Sequence, residues 1–307
     1  MFQKKQVTLR DFLNLNYYLF MSKIFYVLSL VAIMFLSSCE SEPQWESLFN
    51  GTDFAGWEFY LGVPLPFVDV PGMERNEDSV YTQPLGLGND PLRVFSVVQV
   101  DGEPALRFSG EIFGSFATIA EYGNYHLRLE TKWGDTKWVP HMWGGRRNSG
   151  LLYHGVGNFG VGLGVWKTSH ELQIMENDFG DSYRMGDIFC DITATSSDRG
   201  RYTFDPAAEP VRFGPGMPAG PICSKNPVNE KPHGEWNVVE LICFEGTSIH
   251  IINGVVNMVN TNSHLLVNGN EVPLTKGVIQ LQSEGAEVFF RNIEIRPIKK
   301  IPAQFLK

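Results

Sequence analysis

Ser248-Ile249-His250-Ile251-Ile252-Asn253-Gly254-Val255 is the stretch that sets the fold class. Its first part is rich in β-branched residues, and Asn-Gly then stands between two such runs. An Asn-Gly pair tolerates positive φ at both central positions of a tight turn, which is the joint of a β-hairpin. The same texture recurs on both sides. Val238-Val239-Glu240-Leu241-Ile242-Cys243 and Glu287-Val288-Phe289-Phe290-Arg291 read as strands, and so do Tyr125–Thr131 and Glu171-Leu172-Gln173-Ile174-Met175 upstream. Apolar and polar residues alternate there with the period of a strand. No stretch offers a long amphipathic helix, and no repeat of the solenoid or propeller kind is present. Many short strands with turn-rich joints predict an all-β sandwich or jelly roll.

Composition agrees. With 43% hydrophobic and 19% charged residues in 307, the chain can bury a sizeable core. Its 31 Gly, 18 Pro and 22 Phe suit turns and flat aromatics better than a helix bundle. A formal net charge of −9 argues against nucleic acid, whose phosphates need a basic surface. A neutral sugar remains open as a partner.

Residues 21–38 have the layout of a secretory signal peptide: Lys23, an apolar run from Ile24 to Leu36, then small residues. The run falls short of the roughly 20 apolar residues that a spanning helix needs. Leu36-Ser37-Ser38-Cys39 resembles a bacterial lipobox, so Cys39 is expected to carry lipid. A plain signal peptide with an incidental cysteine is the alternative. Residues 1–20 precede a normal-looking start at Met21 and read as a misplaced gene start. Residues 39–43 read as a short acidic tether, 44–298 as one domain and 299–307 as a tail. The expected location is the bacterial outer membrane, held by the lipid alone, on its periplasmic or outer side. Within the domain, 61–92, the Pro-rich 199–233 and 262–276 look like loops too irregular for strands. Cys190, Cys223 and Cys243 are an odd number, compatible with one disulfide or with free buried thiols.

Five stretches in order then resemble one family. Leu48-Phe49-Asn50-Gly51-Thr52-Asp53-Phe54-Ala55-Gly56-Trp57 is similar to its LFNGKDLSGW opening. Asn148-Ser149-Gly150-Leu151-Leu152-Tyr153-His154-Gly155 resembles NSGIFLRG, and His170–Asn177 resembles YEVQILDN. Gly234-Glu235-Trp236-Asn237 matches GEWN. Gly277–Ser283 with Phe290-Arg291-Asn292-Ile293 resembles GPIGLQS and FRNIRI. The family is the 3-keto-disaccharide hydrolase domain. The resemblance implies a concanavalin A-like jelly-roll β-sandwich of two antiparallel sheets, and hydrolysis of glycosides already oxidised at C3. Two departures stand out. His154 occupies a place where many members have Arg, and Glu176–Asp181 resembles an acidic-loop variant.

Candidate site residues follow from strand alternation. If Leu172 and Ile174 face the core, Glu171 and Gln173 face the other way. Gly150, Leu152 and His154 share one face of their strand, so pairing of the two strands would bring His154 to Glu171. Arg146 and Arg147 precede the first strand, while Glu176, Asp178 and Asp181 follow the second. Glu171 or His154 is the expected base, with Gln173, Arg147 and Asn148 orienting the sugar. Glu176 or Asp178 is expected to assist the leaving group or bind a cation. Trp143 and Trp166 are candidates for stacking on a sugar ring. The bland alternatives are a solvated sheet face for Glu171 and Gln173, a structural histidine at 154, and a surface ion pair between Arg147 and Asp178. The acids Glu176, Asp178, Asp181, Asp187 and Asp191, with His141 and His154, leave a divalent cation, calcium or other, as an open expectation.

Such a site would abstract the proton at C2, expel the C1 substituent and let water add to the double bond. The rival readings are a lectin-like lipoprotein that binds glycans without cutting them, an ordinary glycoside hydrolase, and a structural envelope protein.

Overall fold

The computed structural model describes residues 43–305. The leader, Cys39 and most of the tether lie outside the described residues. Two antiparallel sheets face each other, with eight strands in one and twelve in the other among the described residues. The larger sheet runs from Phe95–Val100 through Glu103–Phe108, Ala286–Pro297, Tyr125–Lys137, Asn237–Phe244, Thr247–Ile252 and Val255–Val267 to Ile188–Ser196 and Tyr202–Phe204. The smaller sheet has the order Ile222–Cys223, Ser182–Met185, Thr168–Met175, Asn148–Val156, Val278–Ser283, Gly114–Thr118, Trp57–Leu61 and Gly86–Leu87. Only three short 3₁₀ segments interrupt the strands among the described residues. This is the expected all-β sandwich.

Alternation fixes what lies between the sheets. Leu127, Leu129, Val239, Leu241, Val288 and Phe290 of the larger sheet meet Phe116, Leu151, Leu172, Ile174 and Leu281 of the smaller one, all buried. Each such side chain contributes on the order of 1.5–3 kcal/mol by leaving water. The hairpin at Asn253-Gly254 has φ of 50° and 80°, as a turn with two left-handed residues requires. The Asn253 side chain also accepts a hydrogen bond from the Val238 N–H at 2.9 Å, tying the turn to the next strand.

Two of the expected loops hold more structure than their composition suggests. The segment 199–233 contains Tyr202–Phe204, Pro210–Phe213 and Ile222–Cys223. These strands are two to four residues long, and Pro210 takes the first position of its strand, where no ladder N–H is needed. The segment 262–276 is a hairpin arm: Val255–Val267 runs on past its central pairing and returns as Asn270–Pro273. Cys190, Cys223 and Cys243 are all free and buried.

One end of the interior is polar. Tyr153 Oη shares hydrogen bonds with Ser248 Oγ at 2.7 Å and His250 Nε2 at 3.0 Å, and accepts one from Asn260 Nδ2 at 3.3 Å. Asn260 Oδ1 in turn accepts from Ser182 Oγ at 2.7 Å and from Arg184 at 3.1 Å. The network joins the two sheets, and its members have no water to fall back on. Tyr153→Phe is therefore expected to cost about 1–3 kcal/mol, because its partners are left unpaired in the interior. Urea unfolding of the two proteins side by side checks this; equal midpoints would show that the network does not hold the sheets.

Candidate functional site

The site is built by the pairing of Asn148–Val156 with Thr168–Met175. Gly150 lies opposite Gln173, and Leu152 opposite Glu171. Tyr183 of the next strand pairs with Glu171 on its other side. Across Asn148–Val156, Gln280 lies opposite Leu152, and Glu284 makes a bridge with Asn148. Because Leu151, Leu172, Ile174 and Leu281 point into the core, alternation turns Asn148, Gly150, Glu171, Gln173, Tyr183, Gln282 and Glu284 onto the face directed away from it.

That face is covered rather than solvated. Val165 and Trp166 pack on Leu152 together with Tyr60, Phe113 and Met185. The Trp166 indole N–H donates to the Gly114 carbonyl at 3.1 Å, which fixes the ring as a wall. Trp143 leans on Phe113 with ring centroids 5.9 Å apart. Under these walls Glu171 is 3% exposed and Glu284 5% exposed.

Gly150 has a specific reason to be glycine. A Cβ at that position would sit 2.3 Å from Glu171 Oε1 and 2.4 Å from Gln282 Oε1. Two oxygens thus lean over one bare backbone atom. The Gln282 oxygen has no protein partner among the described residues, and the same is true of Gln173 Oε1 and Asn148 Oδ1. A ring of acceptors without donors is what a ligand rich in hydroxyl groups would complete.

Burial decides the charge of this floor. It lifts the Glu171 carboxyl to about 8. Glu284 is raised well above its usual range, first by burial and then by the nearby Glu171, against a hydrogen bond from Asn148. Burial also lifts the Tyr183 phenol to about 12, with Glu171 and Asp181 adding to the effect and Gln173 opposing it. Among the described residues neither Glu171 nor Glu284 has a cation in an ion pair.

The rim behaves in the opposite way. Glu176 is gripped by Arg147, whose N–H donates at 2.8 Å and whose guanidinium lies at 2.5 Å, with Lys137 at 3.4 Å. Burial works to raise its carboxyl, but these donors outweigh it and hold Glu176 below its ordinary value. Asp178 pairs with Arg146 and with Lys225, the latter at 3.0 Å. Lys225 also reaches Asp181 at 3.3 Å.

The sequence candidates therefore divide. Glu171, Gln173 and Asn148 share the floor with one another. Arg147, Glu176 and Asp178 form the ion-paired rim, so Glu176 is ionised and poorly suited to give a proton. The expectation that His154 faces Glu171 does not hold. The ladder shifts register after Tyr153, and His154 takes φ of 52°, which rotates it off the strand's alternation. Its ring lies against Tyr125 and Tyr153, at centroid distances of 6.1 and 5.6 Å, between the sheets. Burial there pushes its imidazole down to about 4. Trp166 is buried as a wall with no free ring face, whereas Trp143 is half-buried at the edge. Among the described residues no three His, Cys, Asp or Glu side chains come together as a metal cage. Of the acids considered for a cation, Asp191 pairs with Arg212 at 3.3 Å, Glu176, Asp178 and Asp181 are engaged as above, and Asp187 is exposed.

Glu284, Gln282 and Tyr183 were not singled out from the sequence. Gln280-Leu281-Gln282-Ser283-Glu284 does alternate polar and apolar residues, the same signal that marked Glu171 and Gln173. What the local sequence lacks is the pairing that lays these residues beside Asn148 and Glu171.

Comparison with known proteins gives one family match. The family described as the 3-keto-alpha-glucoside-1,2-lyase-like domain matches residues 44–296. Curated proteins give no match. Among solved structures, one from Parabacteroides distasonis, provisionally assigned as a glycosyl hydrolase, is 18% identical. That match covers 83% of this chain and 94% of that one, with a TM-score of 0.43. A carbohydrate-binding module of Bacillus subtilis is 7% identical over 66% of this chain and 91% of its own, with a TM-score of 0.37. A Bacillus licheniformis β-glucanase is 8% identical over 85% of this chain and 100% of its own, with a TM-score of 0.34.

The floor has a consequence for stability. A carboxyl held near 8 when folded, against 4.5 when free, leaves the fold unharmed below the lower value. It withdraws stability as pH rises between the two, because only the unfolded chain then ionises freely. Glu171→Gln removes that penalty. The variant is expected to match the wild type in Tm at acidic pH and to exceed it by a few degrees near the upper value, at about 2–4 °C per kcal/mol regained. Thermal unfolding across that range checks it; a variant less stable at every pH would refute the assignment.

Proposed function

The chain belongs to the family of 3-keto-alpha-glucoside-1,2-lyase-like domains, and from that premise we propose that this carbohydrate-active protein cleaves 3-keto-glycosides by elimination at C1–C2, with Glu171 as base and Glu284 as acid. The observation that carries the proposal is a pair of buried carboxyls that lack cations among the described residues, Glu171 raised by burial and Glu284 by burial and then by Glu171. The rim acids Glu176 and Asp178, by contrast, are paired with cations. Leaving two carboxyls buried without a cation costs stability, and groups so perturbed cluster where protons are moved.

The steps follow from that protonation pattern. A ketone at C3 makes the C2 proton acidic. The Glu171 carboxylate takes it, and the electron pair moves toward the C3 oxygen as an enolate. A carboxylate whose conjugate acid sits near 8 is a stronger base than an exposed one. The neutral Tyr183 phenol and the amide N–H groups of Gln173 and Gln282 are the donors available to the enolate oxygen. Collapse of the enolate breaks the C1–O bond, and the departing oxygen takes its proton from Glu284. One proton has then passed from C2 to Glu171 and one from Glu284 to the leaving group. Transfer between the two neighbouring carboxyls, directly or through the substrate's hydroxyls, restores the starting state. Water added across the C1–C2 double bond completes a net hydrolysis. The unpartnered oxygens of Asn148, Gln173 and Gln282 accept from the sugar hydroxyls and hold the ring over Gly150.

Export through the 21–38 leader and lipid attachment at Cys39 belong to the same proposal, supported by the leader's sequence.

The test is release of the leaving group from a 3-keto-glucoside. Glu171→Gln is expected to lower kcat by about 10²–10⁴-fold, and wild-type kcat/KM is expected to climb as pH rises toward about 8. Full turnover in Glu171→Gln would remove it as base. Saturable glycan binding without release would make the protein a lectin, and release from unoxidised glycosides would make it an ordinary hydrolase. Glu284→Gln separates acid from base: it should slow an alkyl leaving group strongly and a p-nitrophenyl group little, because the latter departs without a proton. Equal losses on both would remove Glu284 as the acid.

A further inference from the structure

The strand order of the smaller sheet gives the floor a direction. Glu171 stands on Thr168–Met175, Gly150 on the next strand, Gln282 on Val278–Ser283 beyond it, and Gly114–Thr118 follows on the far side. Glu284 comes directly after Val278–Ser283. Ser283 pairs with Gly114, and one further step along that register sets Phe113 beside Glu284. Phe113 belongs to the face directed away from the core, since it packs with Val165 and Trp166 over Leu152. Trp143 leans on Phe113. On the side of Glu284 away from Glu171, the floor therefore gives way to an aromatic wall.

The backbone is shaped to bring that wall close. Gly285, the residue after the acid, has φ of 78°. A Cβ there would collide with Val139 and lie 3.3 Å from Trp143 Cζ3 and 3.5 Å from Phe113 Cε1. Trp143 itself takes φ of 50°, a left-handed conformation that costs a residue with a Cβ and persists only where its surroundings enforce it. Two basic side chains enforce it here. Arg146 Nε donates to the Trp143 carbonyl at 3.0 Å, and Lys137 Nζ to the Gly145 carbonyl at 2.7 Å. Both also pair with the rim acids, Arg146 with Asp178 and Lys137 with Glu176. The rim thus fixes the loop that presents Trp143. Phe113 and Trp143 are only half-buried, and Met142 beside them is 36% exposed, so apolar surface stays open next to the acid.

We propose that Phe113 and Trp143 form the leaving-group subsite and select glycosides whose aglycone is an aromatic ring. The inference rests on the proposed elimination, in which Glu284 gives its proton to the departing oxygen. With the sugar over Gly150 and that oxygen at Glu284, the aglycone lies one strand further out, against Phe113 and Trp143. A flat arene there gains stacking contact and leaves water, whereas a methyl group gains little of either.

Two measurements decide it. The first is calorimetric binding of 3-keto C-glucosides carrying phenyl or methyl at C1, whose C1–C bond does not break. The wild type is expected to bind the phenyl compound about tenfold tighter. Trp143→Ala should bring the two close to parity, and Trp143→Phe, which keeps a ring, should retain most of the preference. No binding of either compound, no preference in the wild type, or a preference that survives in Trp143→Ala overturns the subsite. The second measurement is KM for phenyl and methyl 3-keto-glucosides. Trp143→Ala should raise the first about tenfold more than the second, because a contact kept from ground state to transition state acts on KM. A uniform change in both overturns Trp143 as the selector. Absence of turnover with both substrates would strike the proposed elimination, while the binding measurement would still decide the subsite.

Discussion

The register between Asn148–Val156 and Thr168–Met175 is the constraint from which the site descends. Leu151, Leu172 and Ile174 fill the interior only when Gly150 meets Gln173 and Leu152 meets Glu171. A slip of Thr168–Met175 by one residue would drive Glu171 and Gln173 between the sheets and turn Leu172 and Ile174 out of the core. The hydrophobic core therefore does more than stabilise the sandwich. By claiming one face of these strands it fixes which side chains form the floor, and Gly150 leaves the gap over which Glu171 and Gln282 converge.

Charge is partitioned across a short distance. Acids at the rim are matched by Arg146, Arg147, Lys137 and Lys225, and Glu176 is held ionised. Among the described residues the acids on the floor are matched by nothing of opposite sign, and burial drives them toward the neutral form. The rim stabilises the loop ends beside the strands. The floor costs stability, because both carboxyls are raised above their ordinary range by burial without a cation.

Much of the fold was legible in local sequence. The Asn253-Gly254 hairpin, the alternating runs and the outward direction of Glu171 and Gln173 all follow from period and turn chemistry. Three things were not. His154 leaves its strand's alternation at a bulge, and nothing in Tyr153-His154-Gly155 distinguishes that bulge from a continued strand. Glu284 and Tyr183 join the site through ladders between strands far apart in the chain or through a turn of unmarked register, and such pairings are fixed by the whole core. The proline-rich segment 199–233 hides short edge strands, since proline at a strand's first position gives a loop's composition with a strand's geometry.

Burial without a cation should keep Glu171 and Glu284 protonated in the folded protein above the ordinary glutamate range. Carbon-13 labelling of glutamate side chains, with the two signals assigned through Glu171→Gln and Glu284→Gln, reads this directly in an NMR titration. Expected are two carboxyl carbons that keep their protonated shifts above the ordinary glutamate range, with Glu171 titrating near 8 and Glu284 above its usual range. Both carboxyls titrating together in the ordinary glutamate range would contradict it.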